Sequence, residues 1–104
     1  MFTPETLSGK VILITGGGSG LGLAMAKCFA GLGASIAICG RTESKLAAAT
    51  EEIRGAGAKD ARYYLADVRQ YDQVSAMFQQ ILADFGQLDA LVNNAAGNFL
   101  SASE

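Results

Sequence analysis

Apolar positions along this chain follow two patterns: short continuous runs, and longer stretches where they recur at threes and fours. Lys10 to Thr15 is a continuous aliphatic and β-branched run, which suits a strand buried on both faces of a parallel sheet. From Gly20 to Leu32 the residues Leu21, Met25, Cys28, Phe29 and Leu32 have helical spacing, and Gly33 is placed to end that helix. Ser35 to Cys39 predicts a second strand. Thr42 is a candidate N-cap for a second helix, with Leu46, Ala49 and Ile53 on its inner face and Gly55-Ala56-Gly57 closing it. Ala61 to Ala66 predicts a third strand centred on Tyr63, Tyr64 and Leu65. Asp72 can cap a third helix on which Val74, Met77, Phe78, Ile81 and Phe85 recur until Gly86 stops it. That Met and Phe stripe reads as core. Leu88 to Val92 predicts a fourth strand, and Asn93-Asn94-Ala95-Ala96-Gly97-Asn98 is its small, polar exit.

Strands alternating with helices imply βαβ units, a parallel sheet and right-handed crossovers. Ligands of such sheets bind beyond the carboxyl ends of the strands, near the point where strand order reverses. The glycine turn after the first strand, Arg41, Asp67 and Asn93 all fall at such ends.

The turn reads Thr15-Gly16-Gly17-Gly18-Ser19-Gly20-Leu21-Gly22. No G-x-G-x-x-G can be drawn through it, and no Lys-Ser/Thr follows to make a P-loop. What remains is T-G-x-x-x-G-x-G, with Gly16, Gly20 and Gly22 in the marked places. A glycine turn between a buried strand and a helix suits a phosphate, because the helix start offers unpaired N–H groups and partial positive charge. Ser19 adds a hydroxyl for the same phosphates. Tight strand–helix packing alone would also ask for glycine.

The end of the second strand selects the dinucleotide. An NAD site usually places a carboxylate there for the ribose 2′-OH. Here Cys39-Gly40-Arg41-Thr42 has no acid until Glu43, and Arg41 supplies a planar donor fork suited to a 2′-phosphate. The competing role for Arg41 is a solvated residue paired with Glu43 or another acid. Asp67 can accept from an adenine amino group while Val68 packs on the ring, or Asp67 can merely cap a turn. Asn93 and Asn94 suit a cofactor ribose and local backbone groups equally.

At 104 residues the chain is one domain or a piece of one, and half its residues are hydrophobic, so a packed core is expected and disorder is not. A net charge of −2 gives no support for nucleic-acid or membrane-surface partners. No apolar run approaches the ~20 residues that span a bilayer. Cys28 and Cys39 form no C-x-x-C and the chain has no histidine, so no metal site and no His-based triad is expected. Both thiols read as buried, reduced hydrophobes, and the setting as cytoplasmic.

These motifs together resemble the short-chain dehydrogenase/reductase family: T-G-x-x-x-G-x-G at Thr15 to Gly22, Asp67-Val68, and Asn93-Asn94-Ala95, in family order. The resemblance implies an α/β, Rossmann-type doubly wound parallel sheet, present as its cofactor-binding half. It implies that Gly16, Gly18, Ser19, Gly20, Leu21 and Gly22 hold the pyrophosphate, Asp67 and Val68 the adenine, and Asn93, Ala95 and Gly97 the ribose side. Arg41 and Thr42 resemble the NADP-preferring members. The run Asn93 to Phe99, with Ala96 before Gly97, is similar to 2,4-dienoyl-CoA reductases. That implies a small-molecule substrate, an acyl-CoA thioester, with Phe99 walling the acyl pocket and Arg69 meeting the CoA.

The family's catalytic Tyr-x-x-x-Lys is missing, since Tyr63, Tyr64 and Tyr71 are followed four residues later by Asp67, Val68 and Ser75. The chain is therefore expected to be an amino-terminal portion without catalytic residues, inactive alone, and part of a homo-oligomer when complete. A non-catalytic nucleotide-binding module fits the same residues. A methyltransferase fits worse, because Arg41 stands where an acid for its ribose is expected.

Overall fold

A computed structural model describes residues 6–18 and 20–94. Among them, strands β1 (Val11–Thr15), β2 (Ser35–Gly40), β3 (Ala61–Leu65) and β4 (Ala90–Asn93) alternate with helices α1 (Gly20–Gly31), α2 (Glu43–Gly55) and α3 (Tyr71–Phe85). The sheet is parallel throughout, in the order β3-β2-β1-β4. Successive crossovers first move one way from β1 and then jump back across it, so strand order reverses between β1 and β4. The expected doubly wound Rossmann-type sheet is present in part, with β4 at an edge and Leu91 on it half exposed.

Helices cover both faces, which is why β1 and β2 carry no polar alternation. Ile12, Ile14, Ile36 and Ile38 point to one face, against Ala26 and Ala30 of α1 and Leu46, Ala49 and Ile53 of α2. Leu13, Ala37 and Cys39 point to the other, against Met77 and Ile81 of α3, with Val74, Phe78 and Phe85 packed around them. The inner faces predicted for α2 and α3 are those observed.

Helix α1 departs from expectation. Its buried residues are Gly22, Ala26 and Ala30, while Leu21 is 67% exposed and Cys28 is exposed. Four isoleucines already fill that sheet face, so the helix meets them with its smallest residues; Met25 and Phe29 of the expected stripe pack against the same cluster from its flank, and only Leu21 and Cys28 turn away. Helix α3 begins earlier than predicted, with Gln70 at the N-cap position and Asp72 inside the first turn. Its end is as expected: Gly86 is left-handed, and its N–H bonds to Leu82 O at 2.9 Å. Strand β4 starts two residues later than predicted and runs through Asn93, paired with Thr15. Asp89 brackets its entry: its N–H donates to Val11 O at 2.9 Å and its Oδ2 accepts from Val11 N at 2.8 Å.

Candidate functional site: the carboxyl edge of the sheet

The turn after β1 is held from two sides. Gly16 has φ +71°, a left-handed conformation suited to glycine, and its N–H donates to Cys39 O of β2 at 3.0 Å. Gly22, in the first turn of α1, packs directly on the Gly16 carbonyl. A Cβ there would overlap that oxygen and lie 2.8 Å from Asn94 Nδ2. Gly17 is as tightly placed: a Cβ on it would overlap the Ile38 side chain and lie 3.3 Å from Ile14 O. Sequence spacing marks Gly16, Gly20 and Gly22 and passes over Gly17, although a third consecutive glycine was a signal. Gly20 and Leu21 are exposed beyond the turn.

Thr15 ties the turn to the end of β4. Its hydroxyl oxygen accepts from Asn94 N at 2.8 Å and lies 3.1 Å from Asn93 Oδ1 and 3.4 Å from Val92 O, as a donor toward β4. Asn94 Nδ2 reaches Gly16 O at 3.5 Å. The Asn94 side chain thus serves the turn's backbone, while the Asn93 side chain accepts from the Thr15 hydroxyl. Thr15, buried among β1 residues, is a site residue that sequence reasoning treated only as part of the motif.

Two adjoining cavities open at this edge. One, of about 500 Å³, is walled by Gly16, Gly40, Arg41, Asp67, Val68 and Arg69. The other, of about 130 Å³, lies between Gly16 and Gly18 of the turn and Arg41, Thr42 and Lys45 at the start of α2. The structure therefore brings together Gly16, Gly18, Arg41, Thr42, Asp67, Val68 and Arg69. Ser19, Ala95, Gly97 and Phe99 lie outside the described residues.

The electrostatics are uneven. Arg41 forms no ion pair among the described residues, because Glu43 instead accepts from the Tyr63 hydroxyl at 3.0 Å. Lys45 is likewise unpaired and lines the smaller cavity, a contribution the sequence reading missed. A lysine in a helix's first turn opposes the helix dipole, and that was a legible signal. Thr42 occupies the N-cap of α2 but makes no capping bond through its side chain.

Asp67 is engaged. Its Oδ1 accepts from Arg69 N at 3.0 Å and Nε at 3.1 Å, and its Oδ2 accepts from Arg69 Nη2 at 3.0 Å. These bonds hold the Asp67 carboxyl down to about 2. The turn-capping role is thus real, and Arg69, expected to meet a CoA, has its guanidinium on Asp67. Cys39 lines both cavities at the back, and burial pushes its thiol up to about 11. Among the described residues no cluster of His, Cys, Asp or Glu could hold a metal ion, and no helix is long and apolar enough to cross a membrane.

Residues 10–104 match the family described as short chain dehydrogenase. The chain is 44% identical over 103 residues to the peroxisomal 2,4-dienoyl-CoA reductase [(3E)-enoyl-CoA-producing] of Arabidopsis thaliana, an overlap of 99% of this chain and 34% of that protein. Among solved structures it resembles an NAD+-bound xylitol dehydrogenase (TM-score 0.79, 35% identity, 82% of this chain and 32% of that one). It also resembles a metagenomic short-chain oxidoreductase in complex with NADP (TM-score 0.76, 35% identity, 82% of this chain and 38% of that one). The chain spans about a third of the length of these relatives. A glycine turn at the reversal of strand order, Asp67-Val68 at the end of β3 and a match over nearly every residue agree: the chain belongs to the short-chain dehydrogenase family.

Proposed function

We propose that this chain is the cofactor-binding part of an NADP(H)-dependent oxidoreductase acting by hydride transfer. The observation that carries the cofactor choice is Arg41. It stands at the end of β2, lines both cavities and lacks an acidic partner among the described residues, while no carboxylate occupies Gly40 or Arg41 to receive a ribose 2′-OH. A permanently charged guanidinium beside a cavity favours a 2′-phosphate, and Lys45 and Thr42 add donors to the same wall. The glycine turn suits the pyrophosphate: Gly17 and Gly22 leave no room for a Cβ, so the turn keeps its close fit and its N–H groups. Val68 and Asp67 offer the adenine an apolar surface and an acceptor. When bound, the nicotinamide would supply the hydride; this chain's residues bind and orient the adenine end.

The substrate class we infer is an enoyl- or dienoyl-CoA, which the name of the Arabidopsis relative supports. We also infer that this chain alone is inactive, since no Tyr-x-x-x-Lys stands in its sequence to manage the proton. Assembly as a homo-oligomer belongs to the same proposal. A cytoplasmic setting is part of the same proposal; the relative's name offers a peroxisomal one, and fractionation would separate the two.

Titration with NADPH and NADH tests the cofactor choice. Arg41→Ala should abolish a preference for NADPH of roughly 10- to 100-fold, the worth of a charge-assisted bond. Equal wild-type affinities would refute the role of Arg41. Reduction of a dienoyl-CoA by the isolated chain would refute its inactivity.

A further inference from the structure

Arg41 faces the two cavities without an ion pair because the two acids best placed to take it are held by other residues. Asp67, which shares the wall of the larger cavity, carries the Arg69 guanidinium on its carboxylate. Glu43 is the nearest acid in the sequence, two residues on, and it opens helix α2. Both Glu43 and Arg41 are exposed, so an ion pair between them would close readily if the carboxylate were loose. It is not loose. Glu43 Oε2 accepts from the Tyr63 hydroxyl at 3.0 Å, a bond that spans 20 residues and joins α2 to β3.

Tyr63 is suited to hold a carboxylate in one place. It stands opposite Ile38 in the β2–β3 pairing, and it is partly buried, packed against the core cluster that includes Leu46 of α2. A phenol has only two side-chain torsions, so fixing its hydroxyl loses little conformational freedom. The neighbouring Glu43 charge raises the titration of the phenol, so its O–H remains a donor at neutral pH.

We propose that Tyr63 is a positioning residue for cofactor choice: by taking up the Glu43 carboxylate it keeps that acid off Arg41, and so leaves the guanidinium open to a ribose 2′-phosphate. Released, Glu43 would pair with Arg41 and set a negative charge beside the one that the phosphate brings. This inference rests on the role given to Arg41 above.

The experiment compares dissociation constants of NADPH and NADH for wild type, Tyr63→Phe, Glu43→Gln and the double variant, at neutral pH and low ionic strength, where exposed charges are least screened. Circular dichroism establishes folding; phenylalanine keeps the ring and removes only an exposed hydrogen bond. Tyr63→Phe should weaken NADPH by roughly 2- to 5-fold, the worth of an exposed ion pair that the phosphate must displace, and should leave NADH unchanged. Adding Glu43→Gln should restore the wild-type ratio, since no carboxylate is left to release. Glu43→Gln alone should leave that ratio within roughly 2-fold of wild type. A larger gain in NADPH affinity there would mean that Glu43 already opposes Arg41, and would overturn the proposal whether or not Tyr63→Phe folds. If Tyr63→Phe weakens both nucleotides alike, or if its loss persists without Glu43, Tyr63 is only a packing residue and the proposal falls. A wild type that prefers NADPH, with Tyr63→Phe unchanged, overturns this inference alone. A wild type that binds both alike, or neither, refutes the reading of Arg41 and this inference with it.

Discussion

Replacing Gly22 with alanine sets two effects against each other within one helix. Alanine is favoured over glycine in a helix by about 1 kcal/mol. The new methyl, however, would lie 2.9 Å from the Gly16 carbonyl carbon and 2.8 Å from Asn94 Nδ2, and would overlap the Gly16 oxygen. Carbon contacts are comfortable at roughly 3.5–4.0 Å, so α1 or the turn must retreat by most of an ångström. Neither can do so cheaply. The turn is tied to β2 by Gly16 N–Cys39 O, and α1 is seated on the isoleucines through Ala26 and Ala30. Overpacking of this kind costs about 1–3 kcal/mol, so Gly22→Ala should be net destabilising by about 1–2 kcal/mol and should weaken nucleotide binding. Gly31→Ala, at the other end of α1, is the control: its methyl would meet only Ala56 O, at 3.7 Å. It should be neutral or stabilising by up to about 1 kcal/mol. Urea unfolding of both variants measures the difference. A Gly22→Ala protein as stable as wild type, with unchanged nucleotide affinity, would refute the close-packed account of the turn.

Other outcomes follow from single contacts. Thr15→Val removes the acceptor of the Asn94 N–H and should cost about 1–3 kcal/mol, whereas Thr15→Ser should restore most of it; equal stability of the two variants would count against the Thr15 link. A thiol reagent should label Cys28 rapidly and Cys39 only on unfolding; two fast thiols would contradict the burial of Cys39. Because burial raises the Cys39 thiol from 9.0 to about 11, the folded state holds its proton more tightly than the unfolded one. Its stabilising contribution is intact below pH 9 and fades as pH climbs toward 11, so Cys39→Ala should flatten the alkaline limb of a stability–pH curve.

Much of the fold was legible because β1 and β2 are sandwiched between helices, and burial on both faces leaves an unmistakable continuous apolar run. The same physics hid the orientation of α1. Periodicity weights large apolar residues: Met25 and Phe29 do pack against the core, but Leu21 and Cys28 are exposed and Gly22, Ala26 and Ala30 make the closest contact. Contact with a sheet face already crowded by isoleucine selects for small size instead. Terminal boundaries were hidden for another reason. Asp89 and Gln70 begin their elements through backbone and register relations with β1 and the Asp67 turn, which no local propensity records.

The walls of the cavities were legible where a distinctive residue type ends a strand, as with Gly16 and Arg41, and illegible where a residue's place is relational. Thr15 lies 78 and 79 residues from Asn93 and Asn94, yet the three form one linkage across the β1–β4 boundary, and Gly22 leans on the same linkage through Gly16. The consequence is mechanical. The wall that would hold the pyrophosphate and the strand exit that would face the ribose cannot move separately, because the Gly16 carbonyl is pressed by α1 on one side and bonded by Asn94 on the other. Perturbation at any of these positions should therefore change both walls together. The wall at Asp67, held separately by Arg69 and by Gln73 of α3, should respond to changes at those residues rather than at Thr15 or Asn94.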